Sequence, residues 1–141
     1  MTQDEARDQN IEYLIKSAEE ALASAEAELI AQRRRFAMNR LYYACFYAVS
    51  AVLLRDGRHF VKHAGVRVAL HHHLVSTGAI PAALGEFYDE LFRDRQAGDY
   101  SFFVEFDPAI VRQRLALARQ FVDEMRRLLG REEIGLGGLG R

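Results

Sequence analysis

Apolar residues recur early in the chain at steps of three and four: Ile11, Leu14, Ile15, Ala18, Leu22, Ala25 and Leu29. That spacing predicts one apolar stripe on a helix running from about Asp4 to Ala31. The pattern then changes. After Arg40 the chain is apolar almost all round, which predicts a central, buried helix from about Arg34 to Arg55. Asp56-Gly57 supplies the turn that ends it. A loop over 57–62 leads to a third helix, about His63 to Thr77, closed by Gly78. Pro81 suits the first turn of a fourth helix, where its missing N–H costs nothing. That helix should reach about Ala97, with Leu84, Phe87, Tyr88, Leu91 and Phe92 on one face, and Gly98 should end or kink it. Residues 99–106 are aromatic but unpatterned and read as a packed loop. Asp107-Pro108 is a helix start, an Asp N-cap with Pro behind it, and the fifth helix should run to about Leu129. Arg126 and Arg127 in its last turn suit the helix dipole. No segment alternates with the period of a strand. The expected fold is all-α, an antiparallel bundle of about five helices: one domain over 1–130 and a flexible Gly-rich tail over 131–141.

Composition adds bounds. A chain of 141 residues, half of them hydrophobic, suits one domain with a sizeable core. Cys45 is the one cysteine, which excludes an internal disulfide and a Cys-based zinc site and fits a reducing, cytoplasmic setting. The first ten residues are polar and acidic, unlike a signal peptide. The longest apolar run, Ala44 to Leu54, falls short of the roughly 20 residues that span a bilayer, so no membrane partner is expected.

The net charge of −1 hides a segregation. Residues 1–30 hold Asp4, Glu5, Asp8, Glu12, Glu19, Glu20, Glu26 and Glu28 against Arg7 and Lys16. Residues 31–76 hold Arg33, Arg34, Arg35, Arg40, Arg55, Arg58, Lys62 and Arg67 against Asp56, and contain every histidine. A basic middle can meet a polyanion although the whole chain is near neutral. Equally, its bases can pair with the acidic first helix.

Two clusters carry candidate chemistry. In Asn39-Arg-Leu-Tyr-Tyr-Ala-Cys-Phe-Tyr47, helical spacing puts Asn39, Tyr43 and Tyr47 on one face, with Arg40 beside the tyrosines. Polar groups at the head of an aromatic ladder are costly to bury unless they are paired; alternatively the rings are core and their hydroxyls find local partners. At the end of the fourth helix, Arg93, Asp94, Arg95, Asp99 and Tyr100 either hold phosphate, with an aspartate orienting a guanidinium, or form a salt-bridged terminus. His71, His72 and His73 lie about 100° apart on a helix and cannot share one ion, so no metal and no cofactor is expected. His63 suits capping or anion contact. Cys45 reads as inert core.

Three stretches stand together: Asn39-Arg-x-Tyr-Tyr-Ala-x-Phe, Lys62-His63-x-Gly65, and Arg95-x-x-x-Asp99-Tyr100. In that order they resemble the HEPN family, small stand-alone helical proteins of bacteria and archaea, over about residues 8 to 128. The resemblance implies a homodimer with a polar site near its interface, built from the second helix and the end of the fourth. Many members are metal-independent ribonucleases whose motif is an Arg, usually a polar residue next, a His several positions on and often a Tyr beyond. Arg93-Asp94 and Tyr100 fit that frame, but Gly98 stands where the His belongs, and glycine exchanges no proton. Members often act beside a minimal nucleotidyltransferase as toxin and antitoxin. In some pairs the partner adenylates the motif Tyr, which makes Tyr100 the candidate modification site.

Three readings follow. The first is a nucleotide- or RNA-binding module that uses Asn39, Arg40, Tyr43, Lys62, Arg95 and Asp99 and acts with a nucleotidyltransferase. The second is a metal-independent RNA endonuclease toxin, with Arg95, Arg93 and His63 as candidate catalytic groups. The third is a structural helical dimer without a ligand of its own.

Overall fold

The computed structural model describes residues 1–60, 62–100 and 105–131, with Tyr100 described for its backbone alone. Five α-helices account for most of them: α1 Gln3–Ile30, α2 Arg34–Arg55, α3 His63–Leu70, α4 Ala82–Tyr100 and α5 Pro108–Leu128. A π-helical turn, His71–Val75, continues α3. Among the described residues there is no strand. Nor, among them, is any helix long and apolar enough to cross a membrane.

The elements follow from local chemistry. Thr2 caps α1 by accepting from the Glu5 N–H at 3.1 Å, and Asp107 caps α5 by accepting from the Ala109 N–H at 2.8 Å. Gly57 and Gly78 adopt φ of +78° and +79°, the left-handed conformation that ends a helix and that a side chain disfavours. Gln32 takes φ 65° in the tight turn between α1 and α2, which folds them into a hairpin.

The pairing of residues fixes directions. Asn39 meets Asp99 and Tyr42 meets Tyr88, so α4 runs antiparallel to α2. Arg114 meets Glu90 and Asp94 while Phe121 meets Phe87 and Tyr88, so α5 runs antiparallel to α4. Glu12, Glu19 and Glu26 of α1, one per two turns, face Arg131, Arg126 and Arg119 at the other side of an antiparallel seam.

As its all-round apolar pattern predicts, α2 is central: Met38, Leu41, Tyr42, Cys45, Val49 and Val52 are fully buried. Leu70, Tyr88, Leu91, Phe121 and Met125 close on it from α3, α4 and α5. Each such side chain contributes about 1.5–3 kcal/mol of transfer free energy. Burial pushes the Cys45 thiol far above its ordinary value, so it stays protonated and inert.

Two boundaries differ from the expectation. The third helix is not uniform: beyond Leu70 it widens into the π-helical turn. The wider turn sets His71 Nε2 3.0 Å from Asp89, which Arg67 Nε also reaches at 2.7 Å. Its close seat on α4 needs Gly85, where a Cβ would lie 2.8 Å from Val75 Cγ2. Gly98 does not end α4, which continues to Tyr100. Gly98 is buried, and a Cβ there would lie 3.1 Å from Arg35 Cγ and from Phe106 Cε2. It is a point of close packing, not a stop. Of the predicted 99–106 loop, Asp99 and Tyr100 are helical and Glu105 and Phe106 are irregular, while 101–104 lie outside the described residues, as does the tail beyond Arg131.

Candidate functional site

The end of α4 returns beside the start of α2, because the two are antiparallel. This brings Asn39 and Arg40 against Arg95 and Asp99. Asn39 Nδ2 donates to both carboxylate oxygens of Asp99 at 3.5 Å. Arg40 donates from Nε and Nη2 to Asn39 Oδ1 at 3.1 and 2.7 Å. Arg95 Nη1 donates to Asp99 Oδ2 at 3.3 Å, the i, i+4 pair that exists only because α4 runs through Gly98.

The Arg95 side chain is only 10% exposed, and its Nε–H has no partner among the described residues. The guanidinium lies over the Tyr42 ring at 4.7 Å and near the Tyr43 ring at 5.9 Å. Arg40 lies over the other tyrosine of the pair, Tyr43, at 5.1 Å. Ring faces favour cations, so the tyrosines hold both guanidiniums in place.

A histidine completes the cluster from α3. The Tyr42 hydroxyl and His63 Nδ1 are 2.8 Å apart, and the imidazole stacks on Phe46 with centroids 4.5 Å apart. Burial, and then the Arg95 charge, hold the His63 pKa below its ordinary 6.5, so the ring is neutral near pH 7 and can take a proton. Burial pushes the Tyr42 hydroxyl up, so it stays protonated.

Six residues named from the sequence therefore converge: Asn39, Arg40, Tyr43, His63, Arg95 and Asp99. Lys62 and Arg93 do not join the bonded cluster; both are exposed and neither makes an ion pair among the described residues. Arg93 is two residues from Arg95, about 200° round the helix. Asp94 is taken by Arg114 of α5 at 3.4 Å. The side chain of Tyr100 lies outside what is described. His63 does not cap α3, whose N-cap is Lys62 without a side-chain bond; its polar contact is with Tyr42.

Tyr42 and Phe46 were not among the site residues expected from the sequence. Tyr42 is fully buried and reads as core, yet it touches His63, Tyr88, Phe92 and Arg95 at once. Its position three residues after Asn39, on an adjoining face, was the signal available. Among the described residues no group of His, Cys, Asp and Glu has the arrangement to hold a metal.

Comparison with known proteins agrees with the all-α fold. The HEPN domain family model matches residues 11–128. A UPF0332 protein of Thermotoga maritima is 41% identical over 119 residues, covering 84% of this chain and 90% of the relative. Two proteins of Methanocaldococcus jannaschii, each bearing the name "Putative toxin", are similar at lower levels. One is 33% identical over 67% of this chain and 65% of its own length; the other is 32% identical over 66% and 69%.

Proposed function

Since the chain belongs to the HEPN family, we propose that it is a nucleotide- or RNA-binding module of a toxin–antitoxin pair, dimeric and acting with a nucleotidyltransferase. The observation that carries this reading is Arg95: a guanidinium nine-tenths buried that, among the described residues, leaves its Nε–H unpartnered and makes one bond, of 3.3 Å to Asp99. Buried charges are costly unless something completes their hydrogen bonds. A phosphate does so with two parallel acceptors, the geometry for which a guanidinium is suited. Arg40 supplies a second cation, and Asn39 links the two. Relatives named as toxins support the toxin-like role.

The test is binding of a short single-stranded RNA and of a nucleoside monophosphate across a salt series. Arg95→Ala and the double variant Asn39→Ala, Arg40→Ala should each weaken binding about tenfold or more, since bonds to charged groups are worth about 1.5–3 kcal/mol. Affinity for RNA should fall with salt with a slope of about −0.7 per phosphate neutralised. Binding that survives both variants refutes this site. Co-purification with the nucleotidyltransferase of an adjacent reading frame, and a dimer in sedimentation, test the partner claims separately.

One observation favours a second reading, the metal-independent ribonuclease. The motif histidine is absent at Gly98, but His63 arrives from α3, neutral, oriented by Tyr42 and beside Arg95. In that position it could take the proton of a ribose 2′-hydroxyl as that oxygen attacks phosphorus; the bond from phosphorus to the 5′-oxygen breaks, that oxygen leaves with a proton from water, and a 2′,3′-cyclic phosphate remains, with Arg95 countering the charge on the phosphate. Cleavage in EDTA that is lost in both His63→Ala and Arg95→Ala would establish it. An uncut RNA at high protein concentration would leave the binding module alone.

A further inference from the structure

A cleft of about 370 Å³ opens between α1, α2 and the loop before α3. Phe46 and Tyr47 of α2, Tyr13 of α1 and Phe60 of the loop give it aromatic walls. Asn10 and Ser50 supply hydrogen-bonding groups, and Arg58 and His59 stand in the lining with no carboxylate among the described residues that line it. This is the make-up of a small-molecule site: mostly apolar, with a few polar groups to fix orientation.

The cleft adjoins the Arg95 cluster through shared aromatic side chains. Phe46 lines the cleft and also stacks on His63. Tyr47 lines it and lies 5.9 Å from Tyr43, whose ring is in turn 5.9 Å from the Arg95 guanidinium. Two steps of that size are comparable with the length of one nucleotide. A ligand whose phosphate meets Arg95 would therefore extend toward aromatic faces. A flat, polar-edged ring is the group that such faces and a nearby amide and hydroxyl would select.

We propose that this cleft is the nucleobase subsite of the Arg95 phosphate site, receiving the heteroaromatic ring of a nucleotide or of one residue of an RNA strand. The inference rests on the phosphate reading of Arg95, and the experiment separates the two. The described lining holds Arg58 and no carboxylate, which favours a ligand that carries phosphate.

Calorimetry with three probes tests it: adenosine 5′-monophosphate, ribose 5-phosphate and adenosine. Stacking on an aromatic side chain is worth about 1–3 kcal/mol per base, so the monophosphate should bind at least about fivefold tighter than ribose 5-phosphate. Tyr13→Ala removes a wall that is 70% exposed, and Asn10→Trp fills the cleft from another exposed position; neither should disturb folding. Both should bring the monophosphate down toward ribose 5-phosphate and leave ribose 5-phosphate unchanged. Arg95→Ala should weaken both phosphates and spare adenosine. Equal binding of the two phosphates, unmoved by the cleft variants but lost with Arg95→Ala, overturns the subsite and keeps the phosphate site. Adenosine binding that only the cleft variants reduce, with no gain from phosphate, keeps the cleft and overturns the phosphate site. Absence of binding by all three probes overturns both. A dimer that Tyr13→Ala dissociates, with nucleotide binding unchanged, assigns the cleft to a second copy of the chain and also overturns the subsite.

Discussion

Replacing Arg95 with methionine should separate folding from binding. Methionine can follow the aliphatic stem of the arginine over the tyrosine rings and removes only the guanidinium. Two favourable terms go with it. The contact with the Tyr42 face, at 4.7 Å, is worth about 0.5–2 kcal/mol. The bond to Asp99 is long, 3.3 Å, and the Asp99 side chain is 29% exposed, so about 0.5–1 kcal/mol is the appropriate allowance. Against these stands the desolvation of a guanidinium only 10% exposed, a penalty of several kcal/mol that disappears with the charge. Asp99 is not stranded, because Asn39 still donates to it and water reaches it. The balance lies within about 1 kcal/mol of zero and can favour methionine, as replacements of buried ion pairs often do. Urea unfolding followed by circular dichroism measures it as a midpoint shift at unchanged slope. The same variant should lose about tenfold or more in affinity for the nucleoside monophosphate. A stability loss of about 3–5 kcal/mol would mark Arg95 as one half of a structural ion pair and would refute the reasoning.

His63 makes stability depend on pH. Its pKa is lowered by folding, so between that lowered value and the ordinary 6.5 the unfolded chain binds more protons. Its contribution is therefore full above 6.5 and is lost as pH falls through the window below; an NMR titration should also show its midpoint rising in Arg95→Ala, and an unmoved midpoint would break the link between the two side chains. Gly98→His should not restore the family's histidine: with Arg35 and Phe106 each 3.1 Å from the Cβ position, it should cost about 1–3 kcal/mol in urea unfolding and add no RNA cleavage. A stable, active Gly98→His protein would overturn the account of why glycine stands there. Asp107→Ala removes the cap of α5 and should cost about 1 kcal/mol, with a loss of only a tenth or two showing that the Pro108 start suffices.

Much of the fold was legible because each helix carries its own local instruction. α2 and α5 begin where Arg34 and Asp107-Pro108 predict, since buried pattern and capping chemistry both act within a few residues. That α4 runs on through Gly98 was not legible, for the opposite reason. The glycine's meaning depends on Arg35, from another helix, and on Phe106, beyond the next turn, and no local rule contains them. The same holds for His71: the widened turn serves a carboxylate, Asp89, eighteen residues away. In the site, Asn39, Arg40, Arg95 and Asp99 were visible as polar residues out of place on apolar or terminal segments. Tyr42 was not, because a buried tyrosine in a buried helix needs no explanation until its hydroxyl is found on His63.

Charge bears on whether the cluster only satisfies itself. Among the described residues the one ion pair between the basic middle and the acidic first helix joins Arg33 to Glu28 at 2.8 Å, and Arg40 acts on Glu28 only at longer range. Glu12, Glu19 and Glu26 are taken instead by Arg131, Arg126 and Arg119. Among the described residues no carboxylate pairs with Arg34, Arg35, Arg40, Arg58 or Lys62. Within the cluster two guanidiniums, Arg40 and Arg95, face one carboxylate, Asp99, and among the described residues Arg40 donates only to the neutral Asn39 oxygen. A polar cluster kept for structure should balance its charges, because each unbalanced one costs more when water is excluded. This one is left a negative charge short, and an anion is what would complete it.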